Sequence, residues 1–177
     1  MVPVVLGLGS NKKLFLGNSE DSFLCPVEIL KEAFSVLKYV LKDCVMSSIY
    51  KTKAMYVTDQ EDFFNAAVFG YYNGNPEDLL CQTQGIEALF GRNREKEFRN
   101  GPRSLDIDIE LFGNYTVNSS KLEIPHSRLQ ERQFILIPLL DVLKDSADIP
   151  NRSVFEDYLK QLPNQGVELY ERIEQWK

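Results

Sequence analysis

The stretch Leu105-Asp106-Ile107-Asp108-Ile109-Glu110-Leu111 alternates apolar and acidic residues without a break. In a strand, successive side chains point to opposite faces, so Leu105, Ile107, Ile109 and Leu111 are expected on a core face. Asp106, Asp108 and Glu110 are expected on the other. Same-face neighbours stand roughly 6–7 Å apart, and carboxylates that close repel unless a cation lies between them. Hard oxygen donors at this spacing suit magnesium, which is commonly held by one or two carboxylates together with substrate phosphates. A solvated edge strand would show the same alternation. The preceding loop favours the chemical reading, because Arg92, Arg94, Lys96, Arg99 and Arg103 fall within twelve residues of an otherwise acidic chain. Guanidinium groups grip phosphate oxygens in multidentate fashion. A basic loop feeding an acidic strand face is the arrangement that phosphoryl transfer needs, since catalysis there is mostly positioning and charge neutralisation. Glu95 and Glu97 in the same loop fit a solvated charged segment as well.

Other candidates are weaker when taken singly. Gln84 and Glu87 are three apart on one helix and are expected to share a face as ordinary surface residues. His126 is the only histidine, follows Pro125 and precedes Arg128 and Arg132. It serves either structure or donation to a phosphate or ribose. Gly7-Leu8-Gly9-Ser10-Asn11 lacks the third glycine of a dinucleotide fingerprint and the Lys-Ser/Thr of a P-loop, so it reads as a tight strand exit near a ligand. Phe63, Phe64 and Phe134 are core residues by default, with a clamp on a flat ring as the sharper alternative.

These residues need a scaffold. Val2 to Gly9 reads as a buried strand, and Lys12 to Cys25 as a loop. Pro26 opens a helix carrying Val27, Leu30, Phe34, Leu37 and Leu41 at helical spacing. Val45 to Lys53 and Phe63 to Tyr72 read as strands with a polar loop between them. Asn75-Pro76-Glu77-Asp78 starts a second helix by side-chain capping and by acids facing the dipole. Its buried face is expected at Leu79, Leu80, Ile86, Leu89 and Phe90, and Gly91 ends it. Ser104 to Phe112 is the clearest strand. The order strand, helix, strand, strand, helix, strand predicts an α+β fold with a ferredoxin-like βαββαβ core, an antiparallel sheet with helices packed on it. Beyond it come a helix from Arg132 to Leu143, kinked near Pro138, and a tail, helical around Phe155 to Leu162, that covers the sheet.

The chain has 177 residues, 44% hydrophobic and 26% charged, with a net charge of -6. One domain over residues 1–177 is expected, and the length leaves no room beside it for a second catalytic domain. The acidic balance argues against nucleic acid as a partner, which calls for a basic surface. No stretch reaches the roughly 20 apolar residues of a spanning helix. Cys25, Cys44 and Cys81 form no Cys-x-x-Cys pair, so a reducing, cytoplasmic setting without disulfide or zinc is expected.

Taken as a set, the motifs resemble one family. Gly9-Ser10-Asn11, Phe64-Asn65-Ala66-Ala67-Val68, Gly101-Pro102-Arg103-Ser104-Leu105-Asp106-Ile107-Asp108-Ile109 and Ile124-Pro125-His126 stand in the order and spacing of 6-hydroxymethyl-7,8-dihydropterin pyrophosphokinases. The resemblance runs from about Val4 to Leu140. It implies ATP as co-substrate, two magnesium ions, and transfer of the terminal diphosphate to a pterin hydroxymethyl group with release of AMP, in folate biosynthesis. It implies that Asp106 and Asp108 hold the metal, that Arg92 and Arg103 neutralise the triphosphate in the transition state, and that Arg94 assists. Gln84, Glu87, His126 and Arg132 match ATP-contacting positions. Asn65 matches the residue that reads the pterin edge, Phe63 and Phe134 the rings that sandwich it, and Thr52 and Met55 the loop that completes the pocket. A monomer acting on small molecules, without a membrane partner, is implied. Three departures stand out: Phe63 replaces a common tyrosine, Asn100 a frequent aromatic residue, and Lys53 a frequent proline.

Two other classes fit parts of the pattern. A two-carboxylate, metal-dependent nuclease or nucleotidyltransferase would use same-strand aspartates but should carry a basic groove. A non-enzymatic ferredoxin-like binding module would show exposed sheet aromatics and no need for magnesium.

Overall fold

The structure is a computed structural model that describes residues 1–17, 21–54, 59–93, 101–143, 149 and 152–174. Strand β1 (Val2–Ser10) lies at the centre of the main sheet, antiparallel to β6 (Phe63–Tyr72) on one side and to β7 (Asp106–Phe112) on the other. The expected single strand over Val45 to Lys53 is instead two, β4 (Lys42–Met46) and β5 (Ile49–Thr52), which pair with successive halves of the same edge of β6. Between them Ser47 turns inward. Its backbone N donates to Ala67 O at 2.8 Å, and its Oγ accepts from Ala67 N at 2.9 Å. The path β7-β1-β6-β5 is the strand order of a ferredoxin-like sheet. The loop expected over Lys12 to Cys25 holds a small hairpin, β2 (Leu14–Phe15) against β3 (Phe23–Leu24).

Helix α1 (Pro26–Leu37) opens on proline, with Cys25 N donating to Glu28 Oε2 at 2.7 Å. Helix α2 (Pro76–Leu89) opens on Asn75, whose Oδ1 accepts from Asp78 N at 2.8 Å. Both pack on one face of the sheet, where Val4, Leu6 and Leu8 of β1 meet Ile29, Leu30 and Leu37 of α1 and Leu79 and Ile86 of α2. Leu89, expected in this face, is 74% exposed, and Thr83 and Glu87 are buried instead.

After β7 the chain makes a second small pair, β8 (Val117–Asn118) with β9 (Glu123–Ile124). It then passes through a single 3-10 turn at Leu129–Glu131 into α3 (Gln133–Val142), which carries Pro138. Together with α4 (Arg152–Gln161), α3 covers the opposite face, so the sheet is sandwiched. Here Val5, Ala67, Phe69 and Leu111 pack against Ile135, Leu136 and Leu139. The tail adds one element that the sequence did not signal, β10 (Glu168–Glu171), which extends the sheet beside β5.

Leu111 corrects the expected alternation. The pairing of β1 with β7 shifts from Val5↔Leu111 to Leu6↔Ile109, which leaves Glu110 as a bulged residue with no partner across the strand. Leu105, Ile107 and Ile109 therefore share the first core, whereas Leu111 turns to the second.

Candidate active site

The second face of the sheet is apolar at one end and bare at the other, and the difference lies in β1. Val5 packs under α3, but the next residues on that face are Gly7 and Gly9. Gly9 stands opposite Asn65 of β6 and Asp106 of β7, and Gly7 opposite Ala67 and Asp108. With no side chains on the central strand, a cleft of about 280 Å³ opens above it. Thr52, Phe63, Asn65 and Phe134 line one part. Arg92, Arg103, Asp106, Asp108 and Arg132 line another.

The charged part is a linked cluster. Arg92 Nη1 donates to Glu87 Oε1 at 2.5 Å, to Leu105 O at 3.3 Å and to Asp106 Oδ1. Arg103 Nη1 donates to Asp106 Oδ2 at 2.6 Å. Both guanidiniums thus converge on one carboxylate. Asn11 fixes the backbone beneath Arg103: its N donates to Arg103 O at 3.1 Å, and its Oδ1 accepts from Arg103 N at 2.9 Å. Among the described residues Asp108 makes no such ion pair, and its carboxyl is pushed up to about 7. Burial is the main cause, followed by the charges of Asp106 and Glu87, with Arg103 and Arg92 opposing. A buried carboxyl beside two others, facing a cleft with guanidiniums across it, suits a hard divalent cation that brings phosphates with it.

The other part suits a flat, edge-polar molecule. Asn65 Nδ2 donates to Thr52 Oγ1 at 3.0 Å, which fixes the amide and leaves Oδ1 beside Gly9. Phe63 and Phe134 each carry a guanidinium over the ring, with Arg103 Cζ 5.5 Å and Arg132 Cζ 5.3 Å from the respective centroids.

Of the expected ATP-contacting residues, Glu87 stands differently from its reading as a surface residue. Gln84 is exposed on α2, whereas Glu87 is 1% exposed and is not a surface residue. Glu87 Oε1 accepts from Ile107 N at 2.9 Å as well as from Arg92, so it joins α2 to β7 behind the cleft. His126 lies beside the cleft without lining it. Its Nδ1 accepts from Arg128 N at 3.3 Å, so the neutral ring carries its proton on Nε2. Burial lowers its pKa, and Arg132 lowers it further. Met55 and Arg94 lie outside the described residues, as does Asn100. Lys53, singled out only as a departure from a frequent proline, lines the cleft; sequence reasoning missed Asn11 as the anchor of Arg103, and it missed Gln60 and Ile135 as cleft residues. The motif Gly9-Ser10-Asn11 was the available signal for Asn11; for Gln60 and Ile135 there was none.

The family model for 7,8-dihydro-6-hydroxymethylpterin-pyrophosphokinase (HPPK) matches residues 5–144. A 2-amino-4-hydroxy-6-hydroxymethyldihydropteridine pyrophosphokinase of Haemophilus influenzae is 31% identical over 163 residues, covering 91% of this chain and 93% of its own length. A folate synthesis bifunctional protein of Arabidopsis thaliana is 40% identical over 152 residues, 85% of this chain and 29% of that protein. The chain thus spans less than a third of the bifunctional relatives that it matches. Among solved structures, a Plasmodium falciparum HPPK-DHPS triple mutant with pteroate superposes with a TM-score of 0.61 at 17% identity, over 90% of this chain and 44% of that one. That likeness concerns the fold.

Proposed function

The chain belongs to the 7,8-dihydro-6-hydroxymethylpterin-pyrophosphokinase family, and from that premise we propose that it transfers diphosphate from ATP to the hydroxymethyl group of 6-hydroxymethyl-7,8-dihydropterin, releasing AMP, in folate biosynthesis. The observation that carries this reading is the row Asn65, Gly9, Asp106 across three adjacent strands. It joins a ring-sized, amide-edged pocket to a carboxylate–guanidinium cluster in one cleft, as a reaction between a pterin and a polyphosphate requires.

In this reading the pterin lies between Phe63 and Phe134, its polar edge on Asn65 and Thr52. The segment with Met55 would close the pocket. Asp106 and Asp108 would hold magnesium, two ions in the full complex. Bound magnesium would supply charge neutralisation and alignment of the polyphosphate oxygens. Arg92 and Arg103, kept ready at Asp106, and Arg94 would carry the charge that builds on the phosphates. Arg132 and His126, with its Nε2 proton, would donate to ATP. Glu87 would act from behind, through Arg92, and Gln84 from the exposed face of α2. The pterin hydroxymethyl oxygen bonds to the β-phosphorus as the bond from that phosphorus to the α–β bridging oxygen breaks. AMP leaves with the bridging oxygen, and the hydroxyl proton passes to water.

A single domain, acting as a monomer in the cytoplasm, completes the proposal. The scattered Cys25, Cys44 and Cys81, with no Cys-x-x-Cys pair among them, support a reducing setting. Among the described residues no helix is long and apolar enough to cross a membrane. Neither nucleic-acid chemistry nor a non-enzymatic module is favoured beside the family match.

The test is nucleotide product analysis with ATP and magnesium, with and without 6-hydroxymethyl-7,8-dihydropterin. Pterin-dependent AMP is the expected product. Release of ADP, or AMP formed at the same rate without pterin, would overturn the reading.

A further inference from the structure

Glu110 is buried at the boundary between the apolar second core and the cleft, at 2% exposure. It is the bulged residue of β7, so its side chain is not set by a cross-strand neighbour. The carboxyl lies across Gly7, and a Cβ at that position would overlap Glu110 Oε1. Glu110 Oε2 has no hydrogen-bond partner among the described residues. Glu110 lines the same cleft as Asp108. An isolated buried acid is worse for the fold than an apolar side chain of equal size. Leucine or methionine would fill this place without leaving a buried carboxyl oxygen unpaired. The carboxyl therefore has no structural gain to account for it, and Glu110 lines the cleft.

Position decides between the two ends of the cleft. Along β1, Gly9 stands in the row of Asn65 and Asp106, and Gly7 in the row of Asp108. The Glu110 carboxyl lies over Gly7, in the row of Asp108, and Gly7 is two residues along β1 from the Gly9 that stands opposite Asn65. Direct metal ligation by all three acids is not the geometry: among the described residues no three carboxylates, histidines or cysteines are grouped to share one ion. Magnesium keeps several of its waters, and carboxylates beyond its direct ligands orient them.

We propose that Glu110 is a positioning residue for the divalent cation, its carboxyl accepting hydrogen bonds from water on a cation held at Asp108. This rests on the reading of Asp106 and Asp108 as cation ligands. Loss of such a contact weakens metal binding about tenfold or more.

The test is Mn2+ binding, followed by electron paramagnetic resonance in the presence of a non-hydrolysable ATP analogue, in the full chain and in Glu110→Gln and Glu110→Leu. The Mn2+ dissociation constant should rise about tenfold or more in Glu110→Leu and by less in Glu110→Gln. Pterin affinity measured without metal should stay unchanged, and neither variant should melt below the parent. The near-isosteric glutamine keeps the test open if leucine disturbs folding. Unchanged Mn2+ affinity in both variants overturns the inference, as does a loss of pterin affinity with Mn2+ binding intact, which would put Glu110 on the organic ligand. If the parent chain itself binds no Mn2+ with the nucleotide analogue, the cation reading of Asp106 and Asp108 falls, and the inference with it.

Discussion

Asn65, Gly9 and Asp106 stand in register on adjacent strands, and a Cβ built on Gly9 would meet Asn65 Oδ1 at 3.7 Å and Asp106 Cβ at 3.9 Å. Those are ordinary contacts, so the fold has room for alanine there, and Gly9 is not among the positive-φ residues. What alanine would remove is the open floor between the ring pocket and the charged cluster. Gly9→Ala should leave thermal stability unchanged or slightly raised, by about 0.5–1 kcal/mol at most, because an alanine strand loses less entropy on folding. Pterin affinity should fall, since a methyl group pushed into a packed contact costs about 1–3 kcal/mol, roughly five- to hundredfold in Kd. Fluorescence titration with the pterin checks it, and parental affinity would show that the ligand does not lie over Gly9. Gly7 differs in kind: there the side-chain space is already taken by Glu110, so alanine would disturb the fold as well as the site.

At the scale of elements, α2 shows what spacing conveys and what it cannot. Its start was legible, because Asn75 and Pro76 act through local geometry. Its buried face was not, because Leu89 counts as apolar in any pattern but points to solvent, while Glu87 counts as polar and is buried. Glu87 lies inside because it satisfies two donors there, Arg92 Nη1 five residues on and Ile107 N twenty residues on. No local period encodes a contact of that length. Glu87→Ala should leave Arg92 with less compensation for its charge and Ile107 N without an acceptor, and should cost about 3–5 kcal/mol of stability. Glu87→Gln keeps an acceptor in place and should cost roughly 1–2 kcal/mol. Urea denaturation of both variants measures the difference. Equal, small losses would mean that the ion pair is dispensable and that Glu87 is held by packing alone. The strand β7 gives the same lesson: Leu105 to Ile109 alternate as their sequence says, but the bulge at Glu110 sends Leu111 to the other core, and a bulge is set by the pairing strand rather than by the residues that carry it.

For the whole molecule, the central result is a sheet with two unlike faces. One is apolar throughout and fully covered by α1 and α2; the other is covered by α3 and α4 only as far as Val5, Ala67 and Phe69 reach. Five of the six core elements were legible because each is long enough to show its period; the sixth, read as one strand, is the short pair β4 and β5. The tail strand β10 was not, because Glu168-Leu169-Tyr170-Glu171 is four residues long, carries acids at both ends, and has Leu169 and Tyr170 largely exposed. Only the unpaired edge of β5 makes it a strand. Yet β5 carries Thr52, which holds the amide of Asn65. Tyr170 also sets its ring edge against Phe64 at 4.8 Å, next to Phe63 of the ring pocket. No residue of β10 lines the cleft, so its influence on the ligand must pass through the edge that it supports. Leu169→Pro removes a backbone donor opposite Tyr50 and should break the β10–β5 ladder. With ladder bonds each contributing about 0.5–1.5 kcal/mol, the loss should be on the order of 1–3 kcal/mol. Pterin affinity should fall with it, while binding of Mn2+ with a nucleotide analogue stays at the parental value, because the Asp106–Asp108 row lies on the far side of β1. A stability loss with both affinities intact would reduce β10 to a cover for the sheet edge; a parallel loss of both would mean that the sheet responds as one body and that the two parts of the cleft are not independently supported.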